Sequence, residues 1–365
     1  MIQDVFIIGA TGNVGSTLVR QIIERRDADA KLHNNPTRIV GLASNKSLAY
    51  SSRGIGPKEA LSFSAGAIVG KPLPLPEILS LALGGGHENL AFVDVTALKD
   101  EMLGFHKKVI GKTGFTIVTA NKNPLAYSDN DTFQRLVREV PRYGFRCSVM
   151  AGAEAVSLML DLRDLNDELV SLAGCFSGTL NFITSELQRG ERFSKSVRSA
   201  VSLGYSEPNP ADDLSGEDVA KKMLILVRSA GFEAEMGDVE LKPFVPKEVL
   251  GADQKEEFLK ALEKLDPDFS GRALRVRQKG SVLRYVARAE NSEGGISMRV
   301  GLEEIQEKSP LGHLDGTSNK IVAVTRTYTA GNPYVVEAPG AGPEVTAQNI
   351  RRDLLAQIGS RVLRA

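Results

Sequence analysis

Five short apolar runs, at residues 5–9, 38–43, 90–95, 116–120 and 145–149, punctuate the first 150 residues. Runs of this length without polar alternation suit strands covered on both faces. Helical patterns lie between most of them, around residues 13–26, 76–84, 100–111 and 129–140. Strand and helix alternating in this way predict a Rossmann-type doubly wound parallel sheet. The first crossover carries Gly9, Gly12 and Gly15, spaced Gly-x-x-Gly-x-x-Gly between strand and helix. Glycine there lets the backbone approach a pyrophosphate, and the helix start beyond supplies unbonded N–H groups and a positive dipole end. A tight turn without a ligand is the alternative; position, context and spacing together favour a dinucleotide.

The second strand runs into Ser44, Asn45 and Lys46, with no Asp or Glu where an NAD-type ribose ligand is expected. Lys46, with Arg53 and Lys58 nearby, could meet a 2′-phosphate, which favours NADP over NAD. Later strands end in Asp94-Val95-Thr96 and Thr119-Ala120-Asn121-Lys122, so polar groups collect at the carboxyl ends of the sheet, where ligands of open α/β sheets bind. Lys122 there is either a surface lysine opening a loop or a cofactor or substrate contact.

Beyond residue 150 the rhythm changes. Helices are expected over 153–165, 179–189, 194–203 and 215–230, and strands over 169–177, 281–289, 297–305, 319–328 and 334–337. Strands grouped after helices predict an α+β second domain with helices on a mixed sheet. The charged, proline-containing stretch 242–270 reads as a surface excursion. A last helix near 345–362 is expected to fold back on the first domain. The division is therefore a nucleotide-binding domain over 1–150, a substrate-binding, catalytic and dimerisation domain over 151–340, and a C-terminal helix over 341–365.

Lys plus Arg equals Asp plus Glu at 45 each, so nothing favours nucleic acid or an anionic membrane, and a small molecule is the default partner. Two cysteines, Cys147 and Cys175, without metal-type spacing to histidine make a disulfide framework or structural zinc site unexpected. No signal sequence or membrane-length apolar run is present, and a cytoplasmic enzyme is expected.

The densest charge lies in residues 204–223, GYSEPNPADDLSGEDVAKKM. Projected at about 100° per residue, Val219, Met223, Leu226, Val227 and Ala230 form one stripe, and Asp218 and Lys222 fall between Ile225 and that stripe. Glu217, Lys221 and Arg228 fall on the opposite face, where a solvated ion pair is expected. An i,i+4 Asp/Lys pair beside the core is a candidate for chemistry. Two plainer readings stand beside it: Ser215 and Asp218 fit a capping box, and Lys222 could snorkel to water.

GYSEPNPADDLSGEDVAKK, FSGTLNFI, TANKNP, VDVTA and GAGPEVTA resemble, in order and spacing, the motifs of the homoserine dehydrogenase family, over essentially the whole chain. The resemblance implies NAD(P)-dependent interconversion of L-homoserine and L-aspartate 4-semialdehyde, toward threonine, methionine and isoleucine, by a homodimer built mainly through the second domain. It puts Lys222 at the proton-transferring lysine and Lys122 at the second active-site lysine. Glu207, Asp213 and Asp218 match carboxylates that hold the substrate ammonium and order water. Gly178 and Thr179 match a substrate-side turn. Asn13, Val14, Thr96, Gly204 and Gly342 match cofactor contacts, alongside Gly9, Thr11, Gly12, Gly15 and Lys122. A developing alkoxide needs a proton and a nearby positive charge, and a lysine lowered in pKa by an apolar flank and a second lysine could supply both, with Asp218 opposing that shift.

Three departures qualify this. The glycine turn, Gly9-Ala10-Thr11-Gly12-Asn13-Val14-Gly15, is one residue longer than the family's usual form and also similar to that of aspartate-semialdehyde dehydrogenase. Arg146 stands where the family has a glutamate that helps hold a monovalent cation, and Met150 where it has glycine. An arginine cannot ligate sodium, so no cation site of that composition is expected, though the carbonyls of Val149, Ala151 and Ala153 could bind one weakly. The sequence ends at Ala365, so the regulatory domain many relatives carry, and threonine feedback through it, are not expected. Two other functions stay open: a dehydrogenase of another small amino-alcohol or semialdehyde, and a catalytically silent dinucleotide-sensing regulator.

Overall fold

The computed structural model of the protein describes residues 2–33, 36–68, 70–138, 142–251 and 255–362. The chain forms two compact units, Met1–Ala153 with Ala341–Ala365, and Glu154–Gly340.

The first unit holds β1 (Gln3–Ile8), β2 (Thr37–Ala43), β3 (Leu48–Tyr50), β4 (Leu90–Asp94), β5 (Thr116–Thr119) and β6 (Tyr143–Gly144) in the order β3-β2-β1-β4-β5-β6. All neighbours are parallel except β2 and β3, which add a short antiparallel edge. Every residue of β1 and β4 is buried, which is why these runs lack alternation. Helices Asn13–Glu24, Pro57–Ser64, Leu75–Gly84, Asp100–Lys112 and Asn130–Arg138 lie between the strands; residues 139 and 140, the expected end of the last, fall outside the described residues.

The run at 145–149 is not a strand. It forms the short turns Arg146–Ser148 and Met150–Gly152, with positive φ at Met150 (51°), Ala151 (51°) and Gly152 (87°). Its apolar character reports burial rather than a sheet position. It packs against the C-terminal helix, Pro343–Val362, whose Ala347, Ile350 and Leu354 share a core with Leu18, Val19 and Ile22 of helix Asn13–Glu24. Polar staples hold this helix: Arg351 donates to Asp27 at 2.5 and 2.6 Å, Gln357 Nε2 to the Ile117 carbonyl at 2.6 Å, and Arg146 Nη1 to Asp353 at 2.7 Å.

The second unit holds β7 (Leu169–Cys175), β8 (Val239–Leu241), β9 (Ser281–Ser292), β10 (Gly295–Gln306), β11 (Ser318–Thr325) and β12 (Tyr334–Pro339) in the order β12-β11-β7-β9-β10-β8. Pairing is antiparallel except between β8 and β10. Helices Gly178–Arg189 and Glu217–Ser229 pack on β9, and Ala155–Asp164 packs on Glu217–Ser229.

The stretch 242–270 is a helical layer rather than a surface excursion. Phe244, Val245, Phe258, Leu262 and Phe269 are buried, and the Phe269 ring stacks on Phe193 at 4.1 Å and on Phe244 at 5.4 Å. Helices Lys255–Glu263 and Asp266–Gln278 thereby cover Phe193–Ser202. Residues 252–254 fall outside the described residues.

The Asp353 side chain is fully buried, and burial pushes its carboxyl up while Arg146 opposes the shift. A folded-state value above the unfolded one gives stability that is present below the unfolded pKa and lost as pH rises through the folded pKa. Arg146→Leu removes the opposing charge, so the folded value rises further and the variant loses about 3–5 kcal/mol near neutral pH. Urea unfolding at neutral pH and at about pH 5 should show the deficit shrinking as Asp353 protonates. A deficit that does not change with pH refutes this account.

Candidate active-site elements

In the first unit the glycine turn follows β1 directly. Gly9 has φ of 93°, and the Gly9 and Ala10 amides donate to the Ala43 carbonyl at 2.9 and 3.0 Å. A Cβ on Gly15 would lie 2.2 Å from the Gly9 carbonyl oxygen, and one on Gly9 2.9 Å from the Val95 oxygen. Gly12 is the N-cap of helix Asn13–Glu24 with no side-chain cap, so the helix start keeps amides available. Thr11, Gly12 and Asn13 are exposed and Val14 is half-buried. The cradle fits a pyrophosphate: its closeness depends on the missing side chains, and donors face outward at its rim.

Because β1, β4 and β5 are parallel neighbours, Gly9, Thr96 and Lys122 lie beyond the same edge of the sheet. Buried Asp94 fixes that edge. Its Oδ1 accepts from the Thr96 amide and hydroxyl at 2.9 and 2.8 Å, and its Oδ2 accepts from Thr119 Oγ1 at 3.2 Å. Asn121 Nδ2 donates to the Leu98 carbonyl at 2.9 Å, and half-buried Lys122 caps the short helix Asn123–Ala126. Buried His106 accepts from or donates to the Tyr143 hydroxyl at 2.8 Å; its Nε2 sits 3.3 Å from Asp94, at ion-pair distance but outside hydrogen-bond geometry. Lys46, Arg53 and Lys58 are exposed, and Gly342, with φ of 131°, is half-buried before the C-terminal helix.

In the second unit Lys222 is buried, with 8% of its surface exposed. Its Nζ is 2.7 Å from Asp218 Oδ2 and donates to the Phe176 carbonyl at 2.7 Å. Snorkelling is thereby excluded. The capping box does not form either: Gly216, with φ of 76°, takes the N-cap position, and Ser215 Oγ accepts from the Glu217 amide instead. The helical projection is corrected on its other face. Arg228 is fully buried, donating to the Ala234 carbonyl at 2.7 Å and to Glu235 at 2.6 Å, and Lys221 keeps only 14% of its side chain exposed beside Glu217. The helix Glu217–Ser229 is enclosed nearly all round, so polar residues on it find protein partners rather than water.

Asp213 is half-buried and is held from both sides. Its Oδ2 accepts from the Glu207 amide at 2.8 Å, and Thr179 Oγ1 lies 3.0 Å from its Oδ1 and donates to the Tyr205 carbonyl at 2.6 Å. Burial pushes the Asp213 carboxyl up, the Glu207 and Thr179 hydrogen bonds pull it down, and the Glu207 charge adds to the rise. Glu207 and Gly204 are exposed, as is Asp212. Gly178 starts helix Gly178–Arg189 against the Thr317 carbonyl, which a Cβ at 178 would approach to 3.0 Å. Lys222, Phe176, Gly178, Thr179 and Asp213 therefore belong to one region of this unit. The sequence reading missed the Phe176 carbonyl and Asn319, whose Nδ2 donates to that same oxygen at 2.8 Å. The only signal for Asn319 was a polar residue opening an apolar run.

The homoserine dehydrogenase family model matches residues 156–355. A homoserine dehydrogenase of Saccharomyces cerevisiae is 30% identical over 362 residues, covering 97% of both chains. The chain belongs to the homoserine dehydrogenase family. A bifunctional aspartokinase/homoserine dehydrogenase of Haemophilus influenzae is 31% identical over 97% of this chain, which spans 42% of that protein's length. Among solved structures, a Candida auris protein of unknown function is 28% identical with a TM-score of 0.85, covering 98% of both chains. A hyperthermophilic archaeal homoserine dehydrogenase in complex with NADPH shares the fold, with a TM-score of 0.71 at 19% identity over 99% of this chain and 98% of that one.

The monovalent-cation site implied by family resemblance lacks its side-chain ligand here, and two of its carbonyls already accept hydrogen bonds. Arg146 brings a guanidinium in place of a ligand, the Ala151 carbonyl accepts from Asn349 Nδ2 at 2.9 Å, and the Val149 carbonyl accepts from the Gly152 amide at 3.1 Å. The neighbouring Gly152 carbonyl accepts from Arg352 at 2.5 Å.

The glycine turn yields a paired test. Gly15→Ala forces backbone apart and should cost more than about 2 kcal/mol of stability. Gly12→Ala, with φ of −74° and its nearest contact at 3.3 Å, should cost less than about 1 kcal/mol. Equal losses in denaturant unfolding would show that the cradle is not as tight as described.

Proposed function

We propose that the protein is an NAD(P)-dependent homoserine dehydrogenase, interconverting L-homoserine and L-aspartate 4-semialdehyde in threonine, methionine and isoleucine biosynthesis. The observation that carries this reading is the buried Lys222 ammonium, gripped by Asp218 and the Phe176 carbonyl beside the Thr179–Asp213 pair. Family membership and the retained Lys122, Glu207 and Gly178 support it.

In this reading the Gly9–Gly15 turn, Thr96, Lys122 and Gly342 of the first unit hold the dinucleotide, which when bound supplies the hydride acceptor or donor. Lys222 Nζ takes the proton of the substrate hydroxyl during oxidation and returns it to the alkoxide during reduction. Asp218, still partly exposed, orients Nζ and orders water beside it. The resemblance makes Lys122 the second active-site lysine, a source of positive charge for a developing alkoxide. Glu207 and Asp213 receive the substrate ammonium, whose charge would relieve the repulsion between the two carboxylates. Thr179 and Gly178 shape the wall beside them. Lys46, Arg53 and Lys58 support NADP over NAD, as does NADPH in the archaeal relative.

Three further points belong to this proposal. Catalysis needs no cation at residues 149–153, where Arg146 already supplies positive charge. A homodimer forms mainly through the second unit, as the family resemblance implies. Cys147 and Cys175 are free and buried, which suits a reducing cytoplasm. Among the described residues no helix is long and apolar enough to cross a membrane.

Steady-state oxidation of L-homoserine at alkaline pH tests the reading. NADP should be preferred, added sodium or potassium should act only as ionic strength, and Lys222→Ala should lower kcat by about 10²–10⁴-fold. Absence of turnover with either cofactor, or a near-normal kcat in the variant, refutes it.

A further inference from the structure

Two nitrogen donors converge on one backbone oxygen. Lys222 Nζ donates to the Phe176 carbonyl at 2.7 Å, and Asn319 Nδ2 donates to it at 2.8 Å. A peptide carbonyl has two lone pairs, so this oxygen is saturated from two sides. Asn319 stands on β11 and is fully buried, an environment in which an amide persists only when its polar atoms are used. It is itself fixed by Asn181, whose Nδ2 donates to the Ser318 carbonyl at 2.7 Å and lies 3.3 Å from Asn319 Oδ1. The chain keeps space for this side chain: a Cβ on Gly340 would lie 1.9 Å from Asn319 Nδ2.

We propose that Asn319 is a positioning residue that sets the protonation behaviour of Lys222 through the shared Phe176 carbonyl. This rests on Lys222 being the proton-transferring group. The mechanism is local electrostatics. Asn319 occupies one of the carbonyl's two lone pairs. Its N–H dipole also presents a positive end toward the oxygen that the ammonium uses. Both effects weaken the carbonyl's preference for ammonium over amine, so Lys222 gives up its proton more readily than it would to an unshared carbonyl. Asp218 on its own helix, 2.7 Å from Nζ, opposes this. Asn319 adds no charge of its own. A neutral partner can bias the lysine without locking it as a cation, which a second carboxylate would do.

The test reads Lys222 directly. Competitive acylation with acetic anhydride across pH, followed by mass spectrometry of the Lys222 peptide, gives the titration midpoint of that amine in the apo protein without any substrate. Asn319→Asp replaces the donor by a carboxylate at the same position. It should raise the midpoint and lower the reactivity of Lys222 about tenfold at fixed pH, with Lys122 unchanged. Asn319→Leu, which has neither donor nor charge, should shift it in the same direction by less, and serves alone if the aspartate variant does not fold. In L-homoserine oxidation the basic-side rise of kcat should move with the labelling midpoint, while KM for the dinucleotide stays constant. An unchanged Lys222 midpoint in a folded variant overturns the proposal, because a merely structural Asn319 would lower stability and leave that midpoint in place. If the wild type does not turn over L-homoserine, the functional reading fails, and the labelling shift still decides the role of Asn319.

Discussion

A buried ammonium has to be compensated, and the second unit is organised around compensating Lys222. Removing an ion of this size from water carries a penalty of several kcal/mol even after relaxation. Asp218 supplies the opposite charge from one helical turn earlier, and the Phe176 carbonyl supplies an acceptor from the end of β7. That carbonyl is available because the chain leaves the strand there and starts a new helix at Gly178, so the oxygen is released from the sheet ladder. The same turn brings Thr179 to Asp213 and the Tyr205 carbonyl. One strand end therefore positions both Lys222 and Asp213.

The first unit meets a different constraint, close approach of backbone, and meets it by leaving side chains out. Gly15 sits against the Gly9 carbonyl at a distance no Cβ could tolerate, and Gly9 sits likewise against Val95. Departure from the family's usual spacing does not loosen this contact. The departure at Arg146 is of another kind. Its guanidinium is satisfied within the unit by Asp353, and the carbonyls nearby receive Asn349 and Arg352 from the same C-terminal helix. Arg146 thereby fastens the C-terminal helix that carries its counter-charge.

Much of this was legible before the fold was seen, and the failures share a cause. Short apolar runs marked β1, β2, β4 and β5 because strands covered on both faces must be continuously apolar. The same composition misled at 145–149, since burial by a helix produces it as readily as burial in a sheet. Residues 242–270 misled in the reverse direction: charge and proline dominate the composition, while Phe244, Phe258 and Phe269, widely spaced, make the core contacts. Lys221 and Arg228 were assigned to water because a helical wheel equates polar with exposed. The Asp218–Lys222 pair was legible because i,i+4 geometry is local. Asn319 was not, because its partner is a carbonyl 143 positions away and a main-chain acceptor leaves no residue-type signature.

Main-chain acceptors recur wherever this unit buries a cation. Arg228 donates to the Ala234 carbonyl, Arg284 to those of Leu283, Leu311, Gly312 and Leu314, and Lys320 to that of Pro310. A carbonyl offers a lone pair without a charge and does not titrate, so it stabilises the cation while leaving the surrounding charge unchanged. For the arginines this is only structural, because a guanidinium does not release its proton. For Lys320 a half-exposed carboxylate, Glu337 at 2.8 Å, adds counter-charge as Asp218 does for Lys222. Lys222 differs in its carbonyl partner, which is shared with Asn319. One partner of Nζ therefore brings charge from the same helix, and the other brings a neutral oxygen fixed from a different strand.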